Sequence, residues 1–166
     1  MNYPQMMKDI NIFVDGIGHL GTSKEAKLPQ VKFKKQSIER GGFEKDVNIG
    51  TLEKLEAEFT LTEYSPAVYA AMGAGTVTGL GANITIKGSI TQNGKHIPAL
   101  ATLQGEIEVD DGTWKANGEV ERKINMSVNK YIMEIDGKQG VLLDTENMIA
   151  IIDGVDYLAD LRAQIQ

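Results

Sequence analysis

A regular alternation of hydrophobic and polar residues runs through much of the chain and predicts mainly β structure. Up to Asp15-Gly16 the apolar positions alternate with polar ones, so a strand is predicted over about residues 7–14. The same period of two predicts strands over 31–40 and 55–61. The clearest case is a hairpin around Asn93-Gly94, because Asn-Gly between alternating runs is a strong hairpin signal.

The alternation resumes after Asp110-Asp111-Gly112 and predicts a long strand that starts near Trp114. Near Lys130 the apolar positions change parity, which a bulge or a bend would explain. Strands of this length form the wall of a barrel or a sheet that continues across subunits. Shorter strands are predicted over 141–143 and 148–152.

Two helices complete the predicted elements. Ser65 can cap a helix that begins at Pro66, and the glycines at Gly73 and Gly75 are expected to end it after about two turns. Apolar residues at helical spacing over 157–165 predict a terminal amphipathic helix. The fold class is therefore mainly β, with a short flanking helix and a C-terminal helix.

Between residues 40 and 51 the alternation is lost, and the segment is predicted to be a long loop. It contains Gly41 and Gly42, followed by the isolated apolar residues Phe43 and Val47. Long loops in compact domains are uncommon and often make contacts. Phe43 is accordingly either a contact residue or an ordinary exposed side chain.

Composition and charge exclude several classes of protein. The chain has 166 residues, no cysteine and a formal net charge of -6. Disulfides, thiolate metal sites and cysteine nucleophiles are therefore absent, and a general nucleic-acid binder would show a basic excess instead. No apolar run approaches the roughly 20 residues that span a bilayer, so no membrane anchor is expected.

Candidate catalytic chemistry is sparse. His19 and His96 are the two histidines, and both are expected to be exposed residues beside turns. Asp110-Asp111-Gly112 lacks the ligand spacing of an EF-hand and is better explained as a turn. The glycines of 73–81 follow a helix instead of opening one, which favours a flexible connection over a phosphate loop. No catalytic, cofactor-binding or metal-binding residues are predicted, and no cofactor.

Glutamates recur at a spacing of two on the polar sides of the predicted strands. They are Glu56, Glu58, Glu106, Glu108, Glu119 and Glu121. One interpretation is a solvated sheet face with salt bridges to neighbours such as Lys54 and Lys123. The other is an acidic surface with a function.

Four short strings near the C-terminus carry a family resemblance. They read YIMEIDGK from Tyr131, DTENMI from Asp144, DGVDYL from Asp153, and then a helix that contains Arg162. In this order and spacing they closely resemble the major tail tube protein of contractile-tailed bacteriophages, a family shared with the tubes of R-type contractile bacteriocins. Looser similarity at Asn11 to Gly16, Leu28-Pro29 and Arg40 to Gly42 extends over nearly the whole chain.

The resemblance implies one domain over 1–166 with a β-barrel-like sandwich fold and no enzymatic activity. It implies hexameric rings that stack into a hollow tube inside a contractile sheath, for DNA ejection or, in a bacteriocin, membrane puncture. The polar sides of the strands would then line the lumen, at Glu56, Glu58, Gln104, Glu106, Glu108, Glu119 and Glu121. The 40–51 loop would contact other subunits through Arg40, Gly41, Gly42, Phe43, Val47 and Ile49.

The partners implied by the resemblance are further copies of the chain and the sheath, tape measure, baseplate and tail terminator proteins. DNA would be present only in transit, and the location would be the virion tail, assembled in the host bacterial cytoplasm. The alternative is a monomeric β-sandwich binding module that uses the 40–51 loop or the acidic sheet face. An enzyme is the least supported class, because no organised catalytic set is present.

Overall fold

The computed structural model describes residues 2–166, which form twelve strands and two helices. The N-terminal elements are β1 Met6–Val14, β2 Ile17–Gly18, β3 Ser23–Lys27, β4 Phe33–Arg40, β5 Phe43–Leu52, β6 Leu55–Leu61 and α1 Pro66–Thr78. The C-terminal elements are β7 Ala82–Gln92, β8 Lys95–Asp110, β9 Arg122–Ile135, β10 Lys138–Asp144, β11 Ile149–Ile152, β12 Val155–Asp156 and α2 Ala159–Ile165. The prediction of a mainly β fold with two helices is confirmed.

Strand β9 is the centre of a ten-stranded antiparallel sheet. Along one edge it pairs with β8. Along the other edge, Arg122 to Val128 pair with β6, and Lys130 to Ile135 pair with β10. The register shifts between these halves, leaving Asn129 as the extra residue, so the predicted bulge near Lys130 is confirmed. The sheet branches at this bulge.

The sheet curls until its two sides approach each other. From β9 it continues through β8, β7 and β1 in one direction and through β6 and β3 in the other. Strands β1 and β3 form no ladder, but the backbone N–H of Ile12 donates to Ser23 Oγ at 3.0 Å. The result is a barrel-like sheet that remains open between β1 and β3.

The hydrophobic core fills the inside of this curled sheet, because side chains in a strand alternate between its two faces. Its largest fully buried side chains include Ile12, Phe59, Leu61, Ile84, Leu103, Ile124 and Met126. Helix α1 covers part of the core with Val68 and Ala71. The period of two seen in the sequence therefore marks the true inner face of the sheet.

The turn predicted at Asp110-Asp111-Gly112 does not form a hairpin, because β8 ends at Asp110 and residues 111–121 form no strand. Four other Asx-Gly dipeptides do form hairpin turns. In each, both residues have positive φ, as a type I′ hairpin turn requires. These turns are Asp15-Gly16, Asn93-Gly94, Asp136-Gly137 and Asp153-Gly154. Each turn joins two antiparallel strands that are consecutive in the sequence and adjacent in the sheet.

Helix α1 begins as predicted but is longer. The Ser65 hydroxyl accepts a hydrogen bond from the Ala67 N–H, and the helix continues to Thr78 before Gly79 ends it with φ 72°. The prediction of an end before Gly73 is wrong, and most of the predicted flexible connection is helical. Only glycine fits at position 75 of the helix. The backbone of Gly81 passes so close that a Cβ on residue 75 would lie 2.7 Å from the Gly81 carbonyl carbon.

Residues 111–121 form no strand, so the prediction that β9 begins near Trp114 is wrong. Gly112 and Asn117 have φ of 68° and 60°, which interrupts an extended backbone. Trp114 is consequently exposed instead of in the core. The apolar residues of this segment continue the spacing of two seen for the core residues of β9, but they are not part of that strand.

The prediction of a long loop at 40–51 is also wrong. Strands β4 and β5 pair as a separate two-stranded sheet, with Arg40 opposite Phe43 across a Gly41-Gly42 turn. No residue of the hairpin is buried. The apolar residues Phe43, Val47 and Ile49 do share one parity, but Lys45 interrupts them and no position of the segment is buried, so the alternation is too weak to predict a strand.

The two glycines of α1 allow a matched test of this packing. Gly73→Ala is expected to stabilise the protein by about 0.5–1 kcal/mol, because the site is open and alanine favours a helix. Gly75→Ala is expected to cost about 1–3 kcal/mol, because the added methyl group meets the Gly81 backbone. Urea unfolding of both variants measures the difference, and effects of the same sign would contradict it.

Candidate functional site

Four of the predicted lumen-facing residues lie together on the outer side of β6, β9 and β8. Glu56 and Glu106 are both opposite Ser127, and Glu58 and Glu108 are both opposite Asn125. Because β9 lies between β6 and β8, the four carboxylates form two rows across three strands. We call Glu56, Glu58, Glu106 and Glu108 the glutamate face.

The other three predicted residues have different surroundings. Gln104 is on the same side of β8, and its side-chain amide donates to the Leu80 carbonyl at 3.3 Å. Glu119 and Glu121 belong to the 111–121 segment, so their assignment to a strand face is wrong. Glu121 instead forms an ion pair with Lys24 of β3.

Exposed lysines offset part of the charge of the glutamate face. Lys54 lies 3.2 Å from Glu56, and Lys123 lies 3.9 Å from Glu58, as the solvated-face interpretation predicted. Within residues 2–166, Glu106 and Glu108 form no ion pair. Exposed pairs contribute only about 0–1 kcal/mol and are screened by salt, so the face keeps its acidic character.

A buried arginine at the start of β9 fixes the 111–121 segment. Arg122 Nε donates to Asp111 Oδ1 at 2.6 Å, and Nη1 donates to the Ser65 carbonyl at 2.7 Å. Its guanidinium lies against the rings of Tyr64 and Tyr69, at 5.0 and 4.7 Å from their centroids. The Tyr69 hydroxyl also donates to Asp111, which ties the segment to α1.

Sequence reasoning missed Arg122, although a signal was present. It occupies a position whose parity matches the core residues Ile124, Met126 and Val128. A charged residue at a core position is rarely buried without a partner. That placement indicates a buried ion pair.

The histidine prediction is wrong for one of the two residues. His96 is exposed, but His19 is 2% exposed, and its Nδ1 lies 3.1 Å from the Ile12 carbonyl oxygen. His19 thus helps to hold the chain between β2 and β3 against β1. No group of three potential metal ligands is present in the described part of the chain. Neither helix of residues 2–166 is long and apolar enough to span a membrane.

The hairpin of β4 and β5 has two chemically different faces. Paired residues lie on the same side of a two-stranded sheet, and successive pairs alternate between the sides. One side, the apolar-basic face, carries Gln36, Ile38, Arg40, Phe43, Lys45 and Val47. The other side, the acidic face, carries Lys35, Ser37, Glu39, Glu44, Asp46 and Asn48.

The predicted contact residues fall mainly on one of these faces. Arg40, Phe43 and Val47 are on the apolar-basic face, and Gly41 and Gly42 form the turn. Ile49 follows on β5 with the same parity as Val47. Phe43 is 79% exposed, and the structure adds Ile38 and Lys45, which the sequence prediction had omitted. That these residues contact another subunit remains a prediction.

Comparison with known proteins identifies the class. Residues 4–165 match the family of phage tail tube protein FII, and the chain belongs to this family. The tail tube protein of Escherichia phage P2 is 29% identical over 175 residues, covering 99% of each chain. The predicted family and the role of a structural tail tube subunit are thereby confirmed, and the protein is a component of a phage tail.

Solved structures share the fold at low sequence identity. The sheath/tube terminator of the extracellular contractile injection system PVC, in its extended state, matches with a TM-score of 0.55 and 12% identity. The match covers 80% of this chain and 97% of the terminator chain. The PVC sheath-tube complex matches with a TM-score of 0.53 and 11% identity, covering 80% of this chain and 92% of the other.

The Asp111–Arg122 pair predicts a pH dependence. The Tyr69 hydroxyl, and then Arg122, hold the pKa of Asp111 below its ordinary value of about 3.9. Because the pKa of Asp111 is lower in the folded than in the unfolded protein, its ionised carboxylate stabilises the fold at pH values above the unfolded-state pKa. This stabilisation is lost as the pH falls through the folded-state pKa. Asp111→Asn is therefore expected to destabilise the protein at pH 7, by about 1–3 kcal/mol. Its deficit should shrink as pH falls below 4.

Thermal unfolding of wild type and Asp111→Asn between pH 7 and pH 2.5 measures this convergence. Tyr69→Phe removes one hydrogen bond to the carboxylate and keeps the arginine, so it should show a smaller deficit with the same trend. Parallel curves for wild type and Asp111→Asn would contradict the assignment.

Proposed function

We propose that the chain is the subunit of the inner tube of a contractile tail, in which hexameric rings stack into a conduit for DNA. The observation that carries the proposal is the hairpin of β4 and β5. An isolated two-stranded hairpin is marginally stable in water, and this one leaves Phe43 and Ile49 at least half exposed. Its apolar residues gain cover when subunits assemble.

The open sheet supports the same proposal. Natural proteins protect unpaired strand edges, because such edges pair readily with other chains. Here β1 and β3 face each other without a ladder, and β8 and β9 are 16 and 14 residues long. The open edges of β1 and β3 suit a sheet that is completed by neighbouring subunits, and the long strands β8 and β9 form the continuous wall between them.

The glutamate face suits the wall of a DNA conduit. A ring of six subunits would have a formal charge of 6 × (-6) = -36. With Glu56, Glu58, Glu106 and Glu108 directed into the lumen, phosphates would be repelled and the duplex would pass without binding. Gln104 would extend the same surface, while Glu119 and Glu121 are proposed at its margin.

Other partners follow from the class. The structural matches are a sheath-tube complex and a sheath/tube terminator, and we infer that this subunit likewise contacts sheath and terminator proteins. Tape measure and baseplate proteins are proposed as further partners at the lumen and at one end of the tube. The proposed role is structural, without catalysis or a cofactor, after assembly in the host cytoplasm.

Shortening the hairpin tests the assembly role. Replacing residues 37–46 by Asn-Gly joins Gln36 to Val47, which are already paired, through a turn suited to a hairpin. The expected product is folded, because the hairpin contributes no buried residue, but it should not form tubes. Circular dichroism checks the fold, and sedimentation with electron microscopy checks assembly. Normal tubes would contradict the proposal and favour the monomeric binding module.

Charge reversal tests the lumen role. Glu58→Lys, Glu106→Lys and Glu108→Lys together leave Glu56 with its Lys54 partner and change the net charge of a ring by 6 × 6 = 36 units. Tubes are expected to form with normal length, while DNA ejection should slow, because lysines bind phosphates. Ejection timed from particles that carry the variant measures the effect. Unchanged DNA ejection through normal tubes would show that the glutamate face does not line the lumen.

A further inference from the structure

The hairpin of β4 and β5 is anchored to the body of the protein at its base. Within residues 2–166 its strands form no ladder with the ten-stranded sheet. Val31 and Leu52, one on each of the two chain segments at the base, pack partly buried against the edge of the core. Two anchors define an axis about which the hairpin can still rotate. A third contact is needed to fix its direction.

Phe33, the first residue of β4, makes that third contact. Its ring meets the ring of Tyr157 edge to face, with the centroids 6.1 Å apart and the ring planes at 64°. A contact of this kind shifts an equilibrium by roughly 2- to 12-fold. Phe33 is paired with Leu52, so the aromatic contact and the Leu52 anchor hold the same rung of the hairpin.

Tyr157 is held in place from both sides. Its backbone N–H donates to the Ala150 carbonyl at 2.8 Å. The preceding carboxylate, Asp156, accepts hydrogen bonds from the Leu158 N–H at 3.1 Å and from Arg162 at 2.9 Å. These bonds tie the end of β12 to helix α2. The ring that meets Phe33 is therefore mounted on a fixed support.

The C-terminal strings noted in the sequence meet at this support. Arg162 also donates to the Met148 carbonyl at 2.8 Å, so one guanidinium joins the DTENMI string, the DGVDYL string and α2. The proposed tube function does not by itself explain why these residues lie together. Their bonds hold the Tyr157 ring where it meets the hairpin.

A small rotation at the base of the hairpin becomes a large displacement at its turn. Seven residue steps separate Phe33 from Arg40, which corresponds to about 23 Å along a strand. A rotation of about 10° at the base therefore moves the turn by about 4 Å. The bulge in β5 is closed by a hydrogen bond of 2.7 Å from the Gly50 N–H to the Asn48 side chain, so the rotation is passed on to the turn.

We propose that Tyr157 is a positioning residue, which sets the direction of the hairpin through Phe33 and is itself held by the Asp156–Arg162 pair. The consequence for assembly rests on the proposed tube function. A hairpin that already has one direction loses less conformational freedom when the subunit enters a tube. The C-terminal turn and the hairpin thus act as one unit.

Distances between two spin labels measure the direction of the hairpin, because the natural chain has no cysteine to interfere with labelling. Glu44→Cys places one label beside the hairpin turn, and Lys95→Cys places the other beside the turn between β7 and β8. Both positions are exposed. Labelled protein is mixed with an excess of unlabelled protein, so that the recorded distances lie within one chain. One narrow peak is expected.

Tyr157→Ala in the labelled chain is expected to broaden this peak, raising the ratio of other orientations to the main one roughly 2- to 12-fold. Phe33→Ala should do the same, and the double variant should be no broader than either single variant, because both changes remove one shared contact. Tyr157→Phe keeps the ring and should keep the peak. Tyr3→Ala is the matched control, because Tyr3 is 64% exposed and Tyr157 is 56% exposed.

Arg162→Met tests the support behind the ring. It removes the bonds to Asp156 and Met148 but keeps an apolar stem. The peak should broaden when Phe33 is present and should not broaden further in the Phe33→Ala chain. An unchanged narrow peak in Tyr157→Ala, a broad distribution before any of these changes, or equal broadening by Tyr3→Ala would overturn the positioning role.

Tube formation separates this proposal from the proposed function. Tyr157→Ala is expected to form tubes more slowly than wild type, and equal rates with a broadened peak would refute the consequence for assembly. A broadened peak in Tyr157→Ala with no tubes from wild type would refute the tube function and leave the positioning role. Circular dichroism checks folding, and Phe33→Ala supplies the test if Tyr157→Ala does not fold, because no hairpin residue is buried.

Discussion

The division of one edge of β9 between two partners is the constraint on which the rest of the structure depends. The bulge at Asn129 ends the pairing with β6 and allows β10 to begin, and the Asn129 carbonyl accepts hydrogen bonds from the N–H and hydroxyl of Thr145. One branch curls into the barrel-like core. The other leads to α2, and a groove lined by Leu55, Ile149 and Leu161 lies between the two branches. Core, groove and C-terminal elements thus share one origin in the backbone.

Much of this architecture could be predicted, because burial imposes a period of two on every strand with one inner face. The hairpin around Asn93-Gly94, the bulge beside Lys130 and the Asx-Gly turns were all legible in the sequence. Prediction failed where that physical cause was absent. Strand β5 has no buried side, and Gly75 is needed for close packing against Gly81, a contact that no local pattern reveals.

The candidate site was predictable to a similar degree. Spacing correctly grouped four glutamates, since strand parity alone places them on one face. It misplaced Glu119 and Glu121, because the irregular segment beside them happened to continue the parity of β9. The pairing of Ile38 with Lys45 required the register of the hairpin, which depends on where the turn falls. Without the register, the residues that share one face of the hairpin cannot be identified.

The opening between β1 and β3 has a mechanical consequence for the free subunit. Neighbouring strands elsewhere in the barrel are joined by backbone ladders, whereas this junction includes the side-chain bond from Ile12 to Ser23. Separating the two strands there breaks no backbone ladder, unlike the opening of any adjacent pair. The subunit therefore has a seam along which it can widen or narrow while its sheet stays intact.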